Sequence, residues 1–106
     1  MKKYSVSDFT LGWLVGNFEP SLFKNQNLEV GIKRFNAGDT ELAHYQLTAH
    51  EITVVIAGKI RLGRDTFVEN DVIEVFPLEI ADFESLTDSI LVCIKYPSLP
   101  SDKVVI

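Results

Sequence analysis

Hydrophobic and polar residues alternate along this chain in short runs at a period of two, and almost nowhere at the period of a helix. The run Leu28-Glu-Val-Gly-Ile-Lys-Arg-Phe35 puts Leu28, Val30 and Ile32 on one face of a strand and Glu29 and Lys33 on the other. Asn36-Ala-Gly-Asp39 supplies the turn after it. Residues 52–56 are β-branched throughout, which disfavours a helix and suits a pleated strand, and Gly58 ends the run. Residues 60–62 and 66–68 flank a hairpin-like turn, Gly63-Arg-Asp65, and Glu69-Asn-Asp71 separates that pair from residues 72–76. Pro77, which has no N–H for a ladder, stops the next strand. Residues 81–86 and 89–96 complete the series, and Pro97, Pro100 and Ser101 mark an irregular tail. The first 27 residues are less decided, with residues 11–15 readable as a strand.

Eight to ten short strands with turn residues between them predict an all-β jelly roll or small barrel, one domain over residues 1–106. Residues 52–56 and 90–94 are apolar on both faces, whereas a strand of one small barrel needs a single buried face. The other face has to be covered by the N-terminal segment or by a second copy, and a homodimer is the expected solution.

A chain of 106 residues, 46% apolar and 24% charged, can bury a core that needs no metal or disulfide staple. Ten basic against fifteen acidic residues give a net charge of -5, with no basic block, so duplex nucleic acid and anionic membrane surfaces are poor partners. The single cysteine, Cys93, lies in an apolar run and reads as a buried, inert thiol. Ser5, Ser7 and Asp8 interrupt any apolar leader after Lys2 and Lys3, and no segment approaches the apolar length of a membrane span; the expectation is a soluble, cytoplasmic protein.

The candidate chemistry lies between Gly38 and Gly58. There a glycine is followed after five residues by His44, then by Gln46, then by Glu51, with Gly58 closing the pattern. Residues i and i+2 of a strand share a face, so two side chains from one strand and a third from the next can converge inside a barrel. This stretch, about residues 38–58, resembles the first motif of the cupin superfamily, in which two histidines one residue apart precede a glutamate and a glycine. His44 and Glu51 match, and Gln46 stands in the second histidine slot. Residues 70–83 resemble the second motif: Asn70 and Asp71, a strand, Pro77, then Ala81 in the histidine slot and Phe83 in the aromatic one. A shift by one, placing Asp82 in that slot, takes Phe83 out of register. Phrases such as Phe18-Glu-Pro-Ser21 and Lys95-Tyr-Pro-Ser98 are similar to those of small single-domain RmlC-like cupins.

The resemblance implies a double-stranded β-helix, and in its metal-binding members four protein ligands. Here alanine offers no donor and a glutamine carbonyl is a weaker ligand than imidazole, leaving at most His44, Gln46 and Glu51 for a divalent metal. No cofactor is therefore favoured, and a hydrogen-bonded polar cluster of those three side chains is expected at the barrel mouth. His50 should face away from Glu51 and reaches the site as a stand-in ligand only if residues 47–49 bulge. Tyr45 and Trp13 read as packing, while Lys33, Arg34 and Arg61 lie on strands of undetermined register, any of them able to reach inward. The favoured function is binding of a small polar, sugar-like molecule without a tightly held metal. The alternatives are a cupin enzyme using His44, Gln46 and Glu51, whether a metal-dependent dioxygenase or isomerase or a metal-free sugar isomerase or epimerase, and a barrel filled by its own side chains that serves only as a scaffold.

Overall fold

The computed structural model describes all 106 residues. After two single turns of 3-10 helix, Val6–Asp8 and Thr10–Gly12, the chain runs through ten strands. They are β1 (Trp13–Val15), β2 (Glu29–Phe35), β3 (Thr40–Gln46), β4 (His50–Ala57) and β5 (Lys59–Leu62), then β6 (Asp65–Val68), β7 (Val72–Val75), β8 (Ala81–Ser85), β9 (Ser89–Tyr96) and β10 (Lys103–Val105). The β-branched and alternating runs supply β2 and β4 to β9, as their patterns require. Gly63, at φ +61°, turns the β5–β6 hairpin in a conformation that costs a glycine nothing. The tail expected to be irregular instead closes with β10, a strand too short to show a period.

The strands form two five-stranded sheets, ordered β1-β2-β9-β4-β7 and β10-β3-β8-β5-β6, antiparallel throughout. This is the layered jelly roll that the strand count predicted. Val55, Ile73, Leu91 and Cys93 of the first sheet meet Ile60 and Phe83 of the second in the core, and Phe35 packs on Phe83 across the gap with ring centroids 4.6 Å apart. Polar closure accompanies it. Asp102, just before β10, is buried and accepts N–H bonds from Thr48 (2.9 Å) and Ala49 (2.8 Å), which ties the C-terminal strand to the β3–β4 turn.

Strand β2 lies the other way up from what its apolar residues invite. Glu29, Gly31, Lys33 and Phe35 form the inner set, paired in register with Lys95, Cys93, Leu91 and Ser89 of β9, while Val30 and Ile32 look outward. Space on the inner side explains it. Trp13 of β1 pairs with Gly31 and lies so close that a Cβ there would come within 2.7 Å of the indole. The N-terminal segment thus contributes Trp13 to the interior; its two turns pack on each other and on β2 at one edge of the sheet. The outer sides of β4 and β9 carry Ile52, Val54, Ile90, Val92 and Ile94, with Ile52 opposite Ile94 and Val54 opposite Val92. No helix is long and apolar enough to cross a membrane.

Candidate functional site

Between the sheets the apolar core stops short of one end, leaving a cavity of about 250 Å³. The barrel is therefore not filled by its own side chains. The cavity is smaller than the roughly 300–1,000 Å³ common for small-molecule sites, which restricts an occupant to about the size of a monosaccharide. Its floor is the apolar core, including Leu91, Ile60 and Phe83, and its polar wall draws on both sheets.

His44, Gln46 and Glu51 all border this cavity, as the strand arithmetic required, and so does Ala81. His44 and Ala81 are directly opposed on β3 and β8, so Ala81 occupies the position facing the histidine. Asp82 points outward instead, where it pairs with Arg61 at 3.0 Å. Arg61 also reaches Glu84 at 3.5 Å and Arg34 is exposed, leaving Lys33 as the one basic residue of the three candidates in the cavity wall. His50 faces away from Glu51 and stacks on Tyr96, ring centroids 5.1 Å apart and nearly parallel, with Phe76 edge-on. It therefore supplies nothing to the site. Tyr45 lies between His44 and Gln46 and completes part of the wall, and Cys93 is buried beneath it with a thiol pushed up to about 12 by burial, an inert group.

The expected hydrogen-bonded cluster does not form. His44 Nδ1 lies 2.9 Å from the Leu42 carbonyl, which only accepts, so Nδ1 carries a proton and, in the neutral ring, Nε2 is the nitrogen with the free lone pair. Gln46 is 5% exposed, and its Nε2 is occluded without any hydrogen-bond partner. Glu51 makes no hydrogen bond within the protein; burial raises its carboxyl above the usual range, offset in part by Lys95 and His44. The three side chains share one cavity because their strands share one register, and each is left with bonding capacity unspent.

Two further cations border the same space. Lys95 of β9 lies between Glu29 of β2 and Glu51 of β4 in one cross-strand row, with Glu29 Oε1 at 4.0 Å from its ammonium. Buried Ser98 donates to the other Glu29 oxygen at 2.9 Å, fixing that carboxylate. Lys103 arrives on β10, opposite Gln46. Lys33 Nζ donates to the Leu11 carbonyl at 2.9 Å, and both Lys33 and Lys95 sit 5.1 Å from the centre of the Trp13 ring. Burial lowers the affinity of Lys33 for its proton. The sequence left Lys33 open beside Arg34 and Arg61; Lys95 was recoverable from the alternation of β9, whereas Lys103 lay in the tail whose strand carried no signal.

The metal that this fold holds elsewhere does not suit these residues. No three His, Cys, Asp or Glu side chains are grouped to hold an ion. Ala81 has no donor, Gln46 offers a neutral amide, and the carboxylates of the lining, Glu41, Glu51 and Glu79, are matched in number by Lys33, Lys95 and Lys103.

No family model matches the sequence, and no curated protein matches it. Its structure is similar to those of several solved proteins. One is an uncharacterised conserved protein with a double-stranded β-helix domain from Klebsiella pneumoniae, at TM-score 0.72 and 13% identity over 98% of this chain and 90% of that one. Another is an RmlC-like cupin from Shewanella frigidimarina, at TM-score 0.64 and 18% identity over 72% and 71%. A third is a cupin-superfamily sugar phosphate isomerase from Silicibacter pomeroyi, at TM-score 0.59 and 19% identity over 66% of this chain and 50% of that one. The likeness establishes the fold.

Proposed function

Taking a cupin-type double-stranded β-helix as the premise, we propose that this protein binds a small, polar, sugar-like molecule in the cavity between its sheets, without a tightly bound metal. The observation that carries the reading is the set His44, Gln46 and Glu51: three polar side chains on one cavity wall, none bonded to another, one of them an occluded amide with an unpaired donor. Buried polar groups are normally paired, and a hydroxylated ligand supplies the partners that the protein withholds. Trp13 offers an apolar ring face beside them. The likeness to a sugar phosphate isomerase supports the size and polarity of the ligand. The test is saturation-transfer NMR on the chelator-treated protein with a panel of neutral and acidic monosaccharides. Transfer to at least one sugar, lost in Glu51→Gln or Gln46→Leu, supports the reading, and silence across the panel overturns it.

One observation favours a metal-free isomerase or epimerase on the same site. The Leu42 carbonyl, rather than the Glu51 carboxylate, holds His44 in the tautomer whose Nε2 accepts a proton. Glu51, on the same wall, holds its proton more firmly than an exposed carboxyl because it is buried, and is the second group there able to exchange one. An enzyme of this kind incorporates solvent deuterium into its sugar, and His44→Ala abolishes that exchange. The protein is further proposed to act as a homodimer joined through the outer faces of β4 and β9, where Ile52, Val54, Val92 and Ile94 form a continuous apolar surface.

A further inference from the structure

Gln46 and Lys103 stand directly opposite each other on β3 and β10, their side chains on the cavity side of the sheet. Each lacks a partner. The Gln46 amide Nε2 is occluded and unbonded, and the Lys103 ammonium has no carboxylate within 4.0 Å, since the ion pairs of the molecule are confined to Arg61 with Asp82 and Glu84 and to Lys95 with Glu29. Glu79, an acid of the same lining, is turned to its own loop, where its Oε1 accepts from the Phe76 N–H at 3.1 Å. Cross-strand neighbours of this kind lie about 5 Å apart at Cβ. An uncharged donor and a charged one thus meet at the cavity edge, with nothing of the protein's own to receive them.

Resting on the reading of the cavity as a ligand site, we infer that this pair is a carboxylate subsite, and that the ligand is a monosaccharide-sized hydroxy acid. Its acid group lies against Lys103 and, once the Gln46 amide turns its occluded Nε2 toward the cavity, against that donor as well, with its hydroxyls on His44 and Glu51. A carboxylate has two oxygens and one charge, matching one amide donor and one ammonium. The count of charges in the wall argues for a single negative charge. Lys33, Lys95 and Lys103 stand with Glu41, Glu51 and Glu79 in the lining, three charges of each sign. The uncommitted attraction is therefore that of Lys103 alone, whose ammonium has no partner in the protein, and it matches one negative charge rather than the two of a phosphate dianion. The other two ammoniums are already engaged, Lys95 with Glu29 and Lys33 with the Leu11 carbonyl.

The experiment is isothermal titration of the whole chain at pH 7 and low salt with D-glucuronate, D-glucose and D-glucose 6-phosphate as probes, repeated on Lys103→Met and Gln46→Leu. Glucuronate is expected to bind about tenfold or more tightly than glucose, the scale of one charge-assisted hydrogen bond. Lys103→Met, an exposed change on an edge strand, removes that advantage, so that the variant binds glucuronate no more tightly than it binds glucose. Gln46→Leu, which deletes an unpaired buried amide, weakens glucuronate more than glucose while the fold holds. Equal affinity for glucuronate and glucose overturns the subsite but keeps the cavity reading. Preference for the phosphate ester overturns the choice of carboxylate, and a glucuronate preference indifferent to Lys103→Met overturns its location. Failure of all three probes overturns both this inference and the cavity reading.

Discussion

Substituting Gly31 with alanine tests how the cavity wall is built. Gly31 sits on β2 under the ring of Trp13, and an added Cβ would lie 2.7 Å from Cε3 and 3.0 Å from Cδ2 and Cζ3 of the indole. Carbon atoms pack at about 3.5–4.0 Å, so a rigid ring has to move by most of an ångström. Overpacking of this kind costs about 1–3 kcal/mol, while replacing glycine by alanine recovers about 0.4–1 kcal/mol by restricting the unfolded chain. The net loss is about 1–2 kcal/mol. With an unfolding entropy of about 2.1 cal/mol/K per residue, each kcal/mol is worth about 4–5 °C here, and the melting temperature should fall by about 5–10 °C. Trp13 is the sole tryptophan, so its fluorescence reports the displacement with no other contributor. In a Trp13→Leu background the same alanine should cost little or become stabilising, giving a coupling of about 1–2 kcal/mol in the double-mutant cycle. An unchanged melt and emission in Gly31→Ala, or an equal cost in both backgrounds, refutes the steric argument.

Other predictions follow from the same geometry. Because Glu51 is raised above its ordinary carboxylate range, its folded form keeps the proton where the unfolded form has lost it; the burial penalty grows as pH rises through that interval. Glu51→Gln should therefore melt above wild type at pH 7, with the advantage gone at pH 4, and an advantage independent of pH would count against the burial account. Adding imidazoles in Gln46→His with Ala81→His should join His44 and Glu51 in a complete metal site, since Ala81 faces His44 across the strands. With nickel or zinc at about 100 times its dissociation constant, the double variant should gain about 2.7 kcal/mol and wild type almost nothing; no gain in a folded double variant refutes the alignment. Light scattering should report a dimer at micromolar concentration and a monomer for Val92→Lys, whose side chain lies opposite Val54 on the outer face; a monomeric wild type sinks the pairing.

The strands were legible where side-chain chemistry repeats. β4 announces itself by β-branched residues on both faces and β9 by an apolar run on both, and the spacing of the two motifs is enough to place His44, Glu51 and Ala81 on one wall. The orientation of β2 was not legible, because alternation separates two faces without saying which is inside. The usual rule buries Val30 and Ile32, but a cavity with its own polar wall takes Glu29 and Lys33 inward, and the apolar face is left to the exterior. Hydrogen bonding was out of reach for a related reason: spacing brings His44 and Glu51 to one cavity, yet only the local backbone decides that His44 binds the Leu42 carbonyl. Lys103 went unseen since three residues after two prolines hold no period, and its place depends on a long-range pairing with β3.

Strand length has a consequence for how this molecule meets its neighbours in a crowded solution. An open sheet edge is a template for another chain, and fibres grow from it one strand at a time. Here the four edges are β1, β7, β10 and β6, of three, four, three and four residues. An incoming segment would gain only one or two ladder bonds at such an edge, too little to offset the entropy of ordering it. The long strands β4 and β9, which would make durable templates, have neighbours on both flanks, while β2 is paired along its length with β9 and on its other flank only at Val30 and Gly31 with β1. Growth by strand addition is thereby disfavoured, and in the homodimer proposed above a face covered by one copy would offer nothing to a third.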